Sequence, residues 1–461
     1  MKNILVLGGG VTGLTAAYEL QKWKKQQQAE VHLTLAEASS SLGGKIRTVK
    51  KDGFVIESGA DSLVARKMND LAYVDELGLR DAVAYNTTGT SFLYTDGELK
   101  QIPADAVFGI PTSVKSLEGS ALVSDQGKVT ALADLYTKNE TFTEEDSIGE
   151  FLEYFLGKEL VEKQIAPVLS GVYAGKLTDL TIASTLPYLL EYKNTYGSII
   201  QGLEANKEKF LSRSDKKFFS FDEGLHTLVN GFEHALRDVE CRYEHRAISI
   251  EKEKGKYVVT FQNGEVIEAD HVVLAIPHAQ AEKLFAESYL SDLYSRFKSS
   301  SLISVYLGYS IPDTVLPGEG TGFITATSND VVCNACTWTS KKWKHTSPDG
   351  NLLVRMFYKS GLANFESMKN MSDQELIGLA QEDVTKAFGI VTEPITGEVS
   401  KWNDMMPNYQ LSHPNDLKQL EQGLAEHYPG VWLAGCSYYG VGIPDCMQNG
   451  KETAKRVIEN L

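Results

Sequence analysis

The run Gly8-Gly-Gly10-Val-Thr-Gly13 constrains this chain more than any other feature. It fits G-x-G-x-x-G, and its surroundings complete the fingerprint. Residues 3–8, Asn-Ile-Leu-Val-Leu-Gly, read as a short buried strand. Residues 11–27, with Leu14, Ala17, Tyr18 and Leu20 apolar, read as a helix. Val31 to Glu37 reads as a second strand. Strand, helix and strand together open a parallel sheet. Each glycine has a task in such a unit: Gly8 makes the tight turn, Gly10 lets backbone approach a diphosphate, and Gly13 lets helix and sheet close up. The helix start, through Gly9, Val11 and Thr12 as well, presents N–H groups and a positive dipole end to that diphosphate. Glu37 lies 24 positions after Gly13, where an acid reaches ribose hydroxyls, and Ala38 follows it. The fingerprint alone accepts NAD or FAD.

A chain of 461 residues exceeds one hydrophobic core. The middle changes character. From about 103 to 215 the periodicity is helical, as in Ile148-Gly-Glu-Phe-Leu-Glu-Tyr-Phe-Leu156. Strand patterning returns over 241–275, with a turn at Asn263-Gly264. Residues 286–400 alternate strands with a helix near 372–388. A last strand, Val431 to Ala434, precedes a helix from about 444 to 459. The expected fold is α/β: a discontinuous Rossmann-type FAD-binding domain (1–80, 216–285 and 400–461), a mainly helical region (81–215) and an inserted mixed-sheet substrate domain (286–399).

Two segments favour FAD. Leu42-Gly43-Gly44-Lys45-Ile-Arg47 is a glycine loop with cations, able to pass close to a cofactor edge, and Gly53 to Ser62 follows it. At the far end, Leu433-Ala-Gly-Cys-Ser-Tyr-Tyr-Gly440-Val-Gly-Ile-Pro444-Asp runs from a strand through a turn into a helix that Pro444 starts. Its N–H groups, at Val441, Gly442 and Ile443, suit a flavin pyrimidine ring that gains charge on reduction. No second strand-turn-helix fingerprint is found, and Gly318-Glu-Gly-Thr-Gly322 reads as a loop. A chain without a second nucleotide site reads as an oxidase or desaturase.

The net charge of −16 argues against nucleic acid as a partner. No stretch approaches the roughly 20 apolar residues of a membrane span, and no signal peptide is read, so the cytoplasm is the expected place. Five cysteines form a sparse, odd set that reads as reduced thiols. Cys333-Asn-Ala-Cys336 lacks a second pair and a helix start, so no metal or redox motif is assigned there.

Taken together, Gly8 to Gly13, Gly43-Gly-Lys-Ile-Arg-Thr48, Asp61 to Lys67, Leu169 to Gly175, Cys336-Thr-Trp-Thr339, Trp402 with Met406-Pro-Asn-Tyr409, and Gly440 to Cys446 resemble the bacterial coproporphyrinogen III and protoporphyrinogen oxidases, nearly end to end. The first and last motifs are shared with amine oxidases and carotenoid desaturases. The resemblance implies six-electron oxidation of a porphyrinogen by FAD in haem biosynthesis, with dioxygen as acceptor and hydrogen peroxide as by-product. It implies hydride transfer to flavin N5, and no side-chain acid or base is assigned. Gly59, Ala60, Asp61 and Ser62 stand where the family has Gly-Pro-Asp-Ser; they join the cofactor set with Lys45. Ala247 is expected at the adenine and Trp402 near the flavin. Lys67 is the family position that meets a substrate carboxylate, and Tyr173 is a pocket candidate. Lys176, Lys401 and Asn408 depart mildly from the family pattern. Peripheral membrane contact and hand-over of product to the next haem-pathway enzyme stay open. So do an amine oxidase or desaturase on the same scaffold and a flavin-binding protein without turnover.

Overall fold

A computed structural model gives the fold. It describes residues 1–68, 72–87, 90–172, 177–210, 217–326, 330–410 and 412–461, with backbone only at 170–172. Strand Lys2–Leu7 lies at the centre of a five-stranded parallel sheet in the order Glu240–Arg242, Val31–Ala36, Lys2–Leu7, His271–Leu274, Val431–Leu433. Four of its six residues are buried, as a parallel strand covered on both faces requires. Helix Val11–Gln27 follows, and the closing helix Ile443–Ile458 packs along it. Gly450 permits that contact, since a Cβ there would stand 2.5 Å from the Thr12 carbonyl.

A three-stranded antiparallel unit (Ala247–Glu253, Lys256–Phe261, Val266–Ala269) lies beside this sheet. The second large sheet has seven strands in the order Thr396–Asn408, Lys298–Pro312, Asn351–Lys359, Ala335–Thr337, Gly320–Thr325, Thr90–Thr95, Glu98–Gln101. All neighbours are antiparallel except Gly320–Thr325 with Thr90–Thr95. Helix Asp373–Phe388 covers it, started by a reciprocal Ser372–Glu375 capping box. The helices between Val114 and Phe210 share their own core, with Phe151, Leu152, Phe155 and Ile165 fully buried.

Three expectations need adjustment. The helical block begins with a hairpin, Thr90–Thr95 to Glu98–Gln101, which belongs to the seven-stranded sheet. Asp96 and Gly97 both have positive φ (56° and 75°), the Asp-Gly turn that matches strand twist. Strand Thr396–Asn408 runs through position 400, so the first residues expected in the cofactor domain lie in the other sheet. The glycine run read as a loop enters a strand at Gly320. A Cβ on Gly320 would stand 2.0 Å from the Trp338 ring, so packing demands that glycine.

Candidate cofactor and substrate site

The parallel strands end together, and the fingerprint stands at their carboxyl ends, where open α/β sheets bind ligands. Gly8 follows strand Lys2–Leu7 with φ 103°, and a Cβ there would stand 2.4 Å from the Ala275 carbonyl. A Cβ on Gly13 would come within 2.0 Å of the Gly8 carbonyl. Gly10 differs: nothing lies within 4 Å of the place its Cβ would take. The space before the helix is therefore open at the one glycine expected to meet a diphosphate.

Helix Val11–Gln27 has no side-chain cap and no acid in its first turn. Its first intrahelical bond runs from Leu14 to the Gly10 carbonyl, leaving the N–H groups of Val11, Thr12 and Gly13 without intrahelical acceptors. The Gly43 N–H bonds to the Gly9 carbonyl at 2.8 Å, placing the Gly43-Gly44-Lys45 loop over the fingerprint. Glu37 turns back on this loop. One carboxylate oxygen accepts the Gly9 N–H at 2.7 Å, and the other accepts the Ser39 N–H and hydroxyl at 2.8 and 2.7 Å. Backbone of Arg242 and His245 bonds to Glu37, which aligns the approach to Ala247 with Glu37 and Ala38. An uncapped N-terminus beside an open glycine and an acid fits an anionic dinucleotide. Gly8 to Gly13, Glu37, Ala38 and Ala247 would hold its diphosphate and adenosine side.

The other half of the site joins cofactor segments to the seven-stranded sheet. Gly59 fits under Lys45, whose carbonyl a Cβ would meet at 1.9 Å, and the Ala60 N–H bonds to the same carbonyl at 2.9 Å. Trp402 donates its indole N–H to the Ser58 carbonyl at 3.2 Å. Arg355, only 4% exposed, donates to the Gly59 carbonyl at 2.9 Å and to Ser304 at 3.1 Å. Lys342 pairs with Asp61 at 2.9 Å, and the Ser62 hydroxyl donates to Asp61 at 2.8 Å. Burial pushes Asp61 upward, but the Lys342 and Arg355 cations prevail and hold it below the usual carboxylate range. Its neighbour Glu57, 3% exposed, goes the other way. Burial raises it to about 7, against the bonds it accepts from the Leu225 N–H (2.6 Å) and Thr48 hydroxyl (2.9 Å).

The closing turn is pinned from outside. The Tyr409 hydroxyl accepts the Gly440 N–H at 2.6 Å and donates to the Cys436 carbonyl at 2.7 Å. Asn449, in the closing helix, accepts the Gly435 N–H at 2.8 Å. Gly442 stands at the N-cap with no side-chain cap, Val441 is exposed and Ile443 is buried. Lys45 donates to the Met405 carbonyl and approaches Cys436 Sγ at 3.4 Å, bridging the glycine loop, the sheet and this turn.

Lys67 sits at the rim, about half exposed, with its ammonium 2.7 Å from Asp445 of the closing helix. Tyr173 and Lys176 lie outside the described residues. Cys333 and Cys336 are buried in the seven-stranded sheet's core, where burial and Asp383 push both thiols well up. Among the described residues no group of three or more His, Cys, Asp or Glu side chains is placed for a metal, and no helix is long and apolar enough to cross a membrane. Sequence reasoning missed Arg355, Lys342, Glu57 and Tyr409. Tyr409 stood inside the Trp402 to Tyr409 motif and Glu57 inside the Gly53 to Ser62 segment that it had singled out, while Arg355 and Lys342 stood in neither.

Residues 11–458 match the family described as flavin containing amine oxidoreductase. The chain is 35% identical to a coproporphyrinogen III oxidase of Bacillus subtilis (strain 168), covering 100% of this chain and 98% of that one. It is 30% identical to one from Staphylococcus aureus, covering 100% of both. Among solved structures, a putative protoporphyrinogen oxidase from Exiguobacterium sp. 255-15 superposes with a TM-score of 0.90 at 31% identity, over 100% of this chain and 99% of that one. A putrescine oxidase variant shares the fold at a TM-score of 0.69 and 15% identity, over 100% and 99%.

Proposed function

This chain belongs to the flavin containing amine oxidoreductases, and from that premise we propose that it oxidises coproporphyrinogen III to coproporphyrin III, passing electrons to dioxygen and releasing hydrogen peroxide. The observation that carries this reading is similarity over the whole chain to proteins named coproporphyrinogen III oxidase, at 30–35% identity. The site supports it. Trp402 and Arg355, both on the seven-stranded sheet, touch the backbone at Ser58 and Gly59, so cofactor segments and sheet share one wall. On this reading residues 1–80, 216–285 and the chain beyond Asn408 hold FAD, while the sheet and the helical block shape the substrate side.

Bound FAD supplies the hydride acceptor. The residues of the chain bind and position. The open face at Gly10 and the bare start of helix Val11–Gln27 take the diphosphate, and Glu37 takes a ribose. Asp61 stays ionised between Lys342 and Arg355, so it donates no proton and instead fixes loop 59–62 against the sheet. Val441, Gly442 and Ile443 offer backbone N–H groups to the flavin pyrimidine edge. Coproporphyrinogen carries four propionates, and a protein at −16 repels it at long range. Lys67 offsets this locally by exchanging Asp445 for a propionate. The protons of the macrocycle leave to solvent, which needs no protein base. We place the protein in the cytoplasm, its five cysteines free, handing porphyrin to the next haem-pathway enzyme.

The test is anaerobic. Coproporphyrinogen III, then protoporphyrinogen IX, is mixed with the yellow holoenzyme and flavin bleaching is followed before air is admitted. Fast bleaching with the first, then porphyrin fluorescence and peroxide in air, is the expected result. Bleaching by protoporphyrinogen IX alone would reassign the substrate. Bleaching by neither would remove porphyrinogens from the reading and leave the flavin fold.

A further inference from the structure

The seven-stranded sheet turns two unlike faces to the rest of the molecule. Along strand Asn351–Lys359, Leu352, Val354, Met356 and Tyr358 join the core under helix Asp373–Phe388. The alternate residues face the other way. Leu353 packs with Phe54 and Ile56, and Arg355 reaches the Gly59 carbonyl, so this inner face looks onto the cofactor segments. Its cover stops partway. Phe357 is half-buried, as are Leu302 and Ala335 on the neighbouring strands, and the last residue of the row, Lys359, is exposed.

Strand register fixes where that lysine stands. Leu302 lies opposite Lys359 on one side and opposite Trp402 on the other. Lys359 and Trp402 therefore flank Leu302 on one face, with their Cα atoms two strand spacings, or about 10 Å, apart. The Lys359 side chain thus lies beside the wall that Trp402 forms with the Ser58 carbonyl. Lys359 is exposed, yet burial lowers its ammonium from the ordinary lysine value. An outer-surface lysine would show the first without the second; a lysine lining a recess shows both. Arg355, the other cation of this row, is buried and committed to Gly59 and Ser304.

We propose that Lys359 is a second substrate-carboxylate cation, meeting a propionate of the porphyrinogen on the inner face of the sheet while Lys67 meets another at the rim. This rests on the porphyrinogen reading above. Phe357, Leu302 and Ala335 offer an apolar wall to the macrocycle, and the ammonium stands where that wall ends, which suits an apolar ring with charged arms. A net charge of −16 makes such a local cation the more necessary. A carboxylate arriving there restores the charge stabilisation that desolvation removes, so the contact contributes more than one at an open surface.

The test reads binding of the product, coproporphyrin III, to the FAD-loaded enzyme by porphyrin fluorescence. Coproporphyrin III tetramethyl ester, with the same ring and no charged arms, is the control. Lys359→Met should weaken coproporphyrin III about tenfold or more and leave the ester within about twofold. Lys359→Arg, which keeps the charge, should bind the acid within about threefold of wild type. In turnover, the Lys359→Met loss should fall on KM for coproporphyrinogen III more than on kcat. Equal binding of coproporphyrin III by wild type and Lys359→Met would overturn the inference. So would parallel loss of acid and ester, the mark of a disturbed pocket. Failure of both variants to retain flavin would do the same, since an ammonium kept for substrate is dispensable to the fold. The substrate reading fails separately. A wild-type enzyme that neither bleaches with coproporphyrinogen III nor binds coproporphyrin III loses both, whereas one that does both while Lys359→Met matches it loses this inference alone.

Discussion

Gly10 and Gly13 exclude side chains for different reasons, and the difference separates fold from ligand. Gly13 is closed off by the Gly8 carbonyl, whereas Gly10 faces open space. Gly13→Ala should therefore destabilise the apoprotein by about 1–3 kcal/mol, read as a lower urea midpoint. Gly10→Ala should leave that midpoint within about 0.5 kcal/mol and weaken FAD about tenfold or more by flavin titration. Equal loss of apoprotein stability in both would refute the assignment of Gly10 to the ligand. Glu57 gives a pH prediction. Its folded value, about 7, exceeds the ordinary 4.5, so the folded state binds the extra proton between them. The associated stability is full below about pH 4.5 and is lost as pH rises through about 7, amounting to roughly 3 kcal/mol. Glu57→Gln should flatten the melting temperature over that window; an unchanged slope would show that Glu57 ionises normally. At this scale the sequence spoke where partners are close along the chain, as in the fingerprint and Glu37. It was silent on Lys342 and Arg355, which meet Asp61 and Gly59 across 281 and 296 positions.

Elements were legible where their hydrophobic period was clean. Strand Lys2–Leu7, helix Val11–Gln27 and helix Asp373–Phe388 stand where the apolar spacing placed them. The Thr90–Gln101 hairpin was overlooked despite its Asp96-Gly97 turn, because a short two-strand ribbon carries little period and its partner strand lies over 200 residues on. The helical block carries one costly feature that no pattern revealed. Lys193 and Asp134 are wholly buried and paired at 2.7 Å. Asp134 also accepts the N–H groups of Ile199 and Ile200, at 3.1 and 3.0 Å, and the Ser198 hydroxyl, so it caps helix Ile199–Ala205 from inside the core. Removing one member of such a pair strands the other. Asp134→Ala should cost about 3–5 kcal/mol. Lys193→Met should cost less, because the helix N–H groups still satisfy Asp134. Urea titrations giving the reverse order would mean that the lysine carries the site.

For the whole molecule, the sequence disclosed three kinds of structure but not how they are stitched together; the hydrogen bonds from Trp402 and Arg355 onto Ser58 and Gly59 do that stitching. Cofactor binding should be felt unevenly across this assembly. At free FAD about 100 times its Kd, the folded state gains roughly 2.7 kcal/mol. Hydrogen exchange should slow at Ile4 to Leu7 and at Leu433 to Gly435, with little change around Asp134. Uniform slowing would mean that the helical block opens only with the rest. The strand order also sets a timetable. The central strand Lys2–Leu7 and the edge strand Val431–Leu433 belong to one sheet, yet more than 400 residues of synthesis separate them. At about 5–20 residues per second that gap lasts roughly 20–90 s. Throughout it, the fingerprint waits on the ribosome with one edge of its sheet unpaired and its closing helix unmade, while the helical block, drawn from one continuous stretch, has all its parts in hand. Flavin capture is thus among the last events in the birth of this protein, and any delay late in the message prolongs the time that strand His271–Leu274 spends without its neighbour.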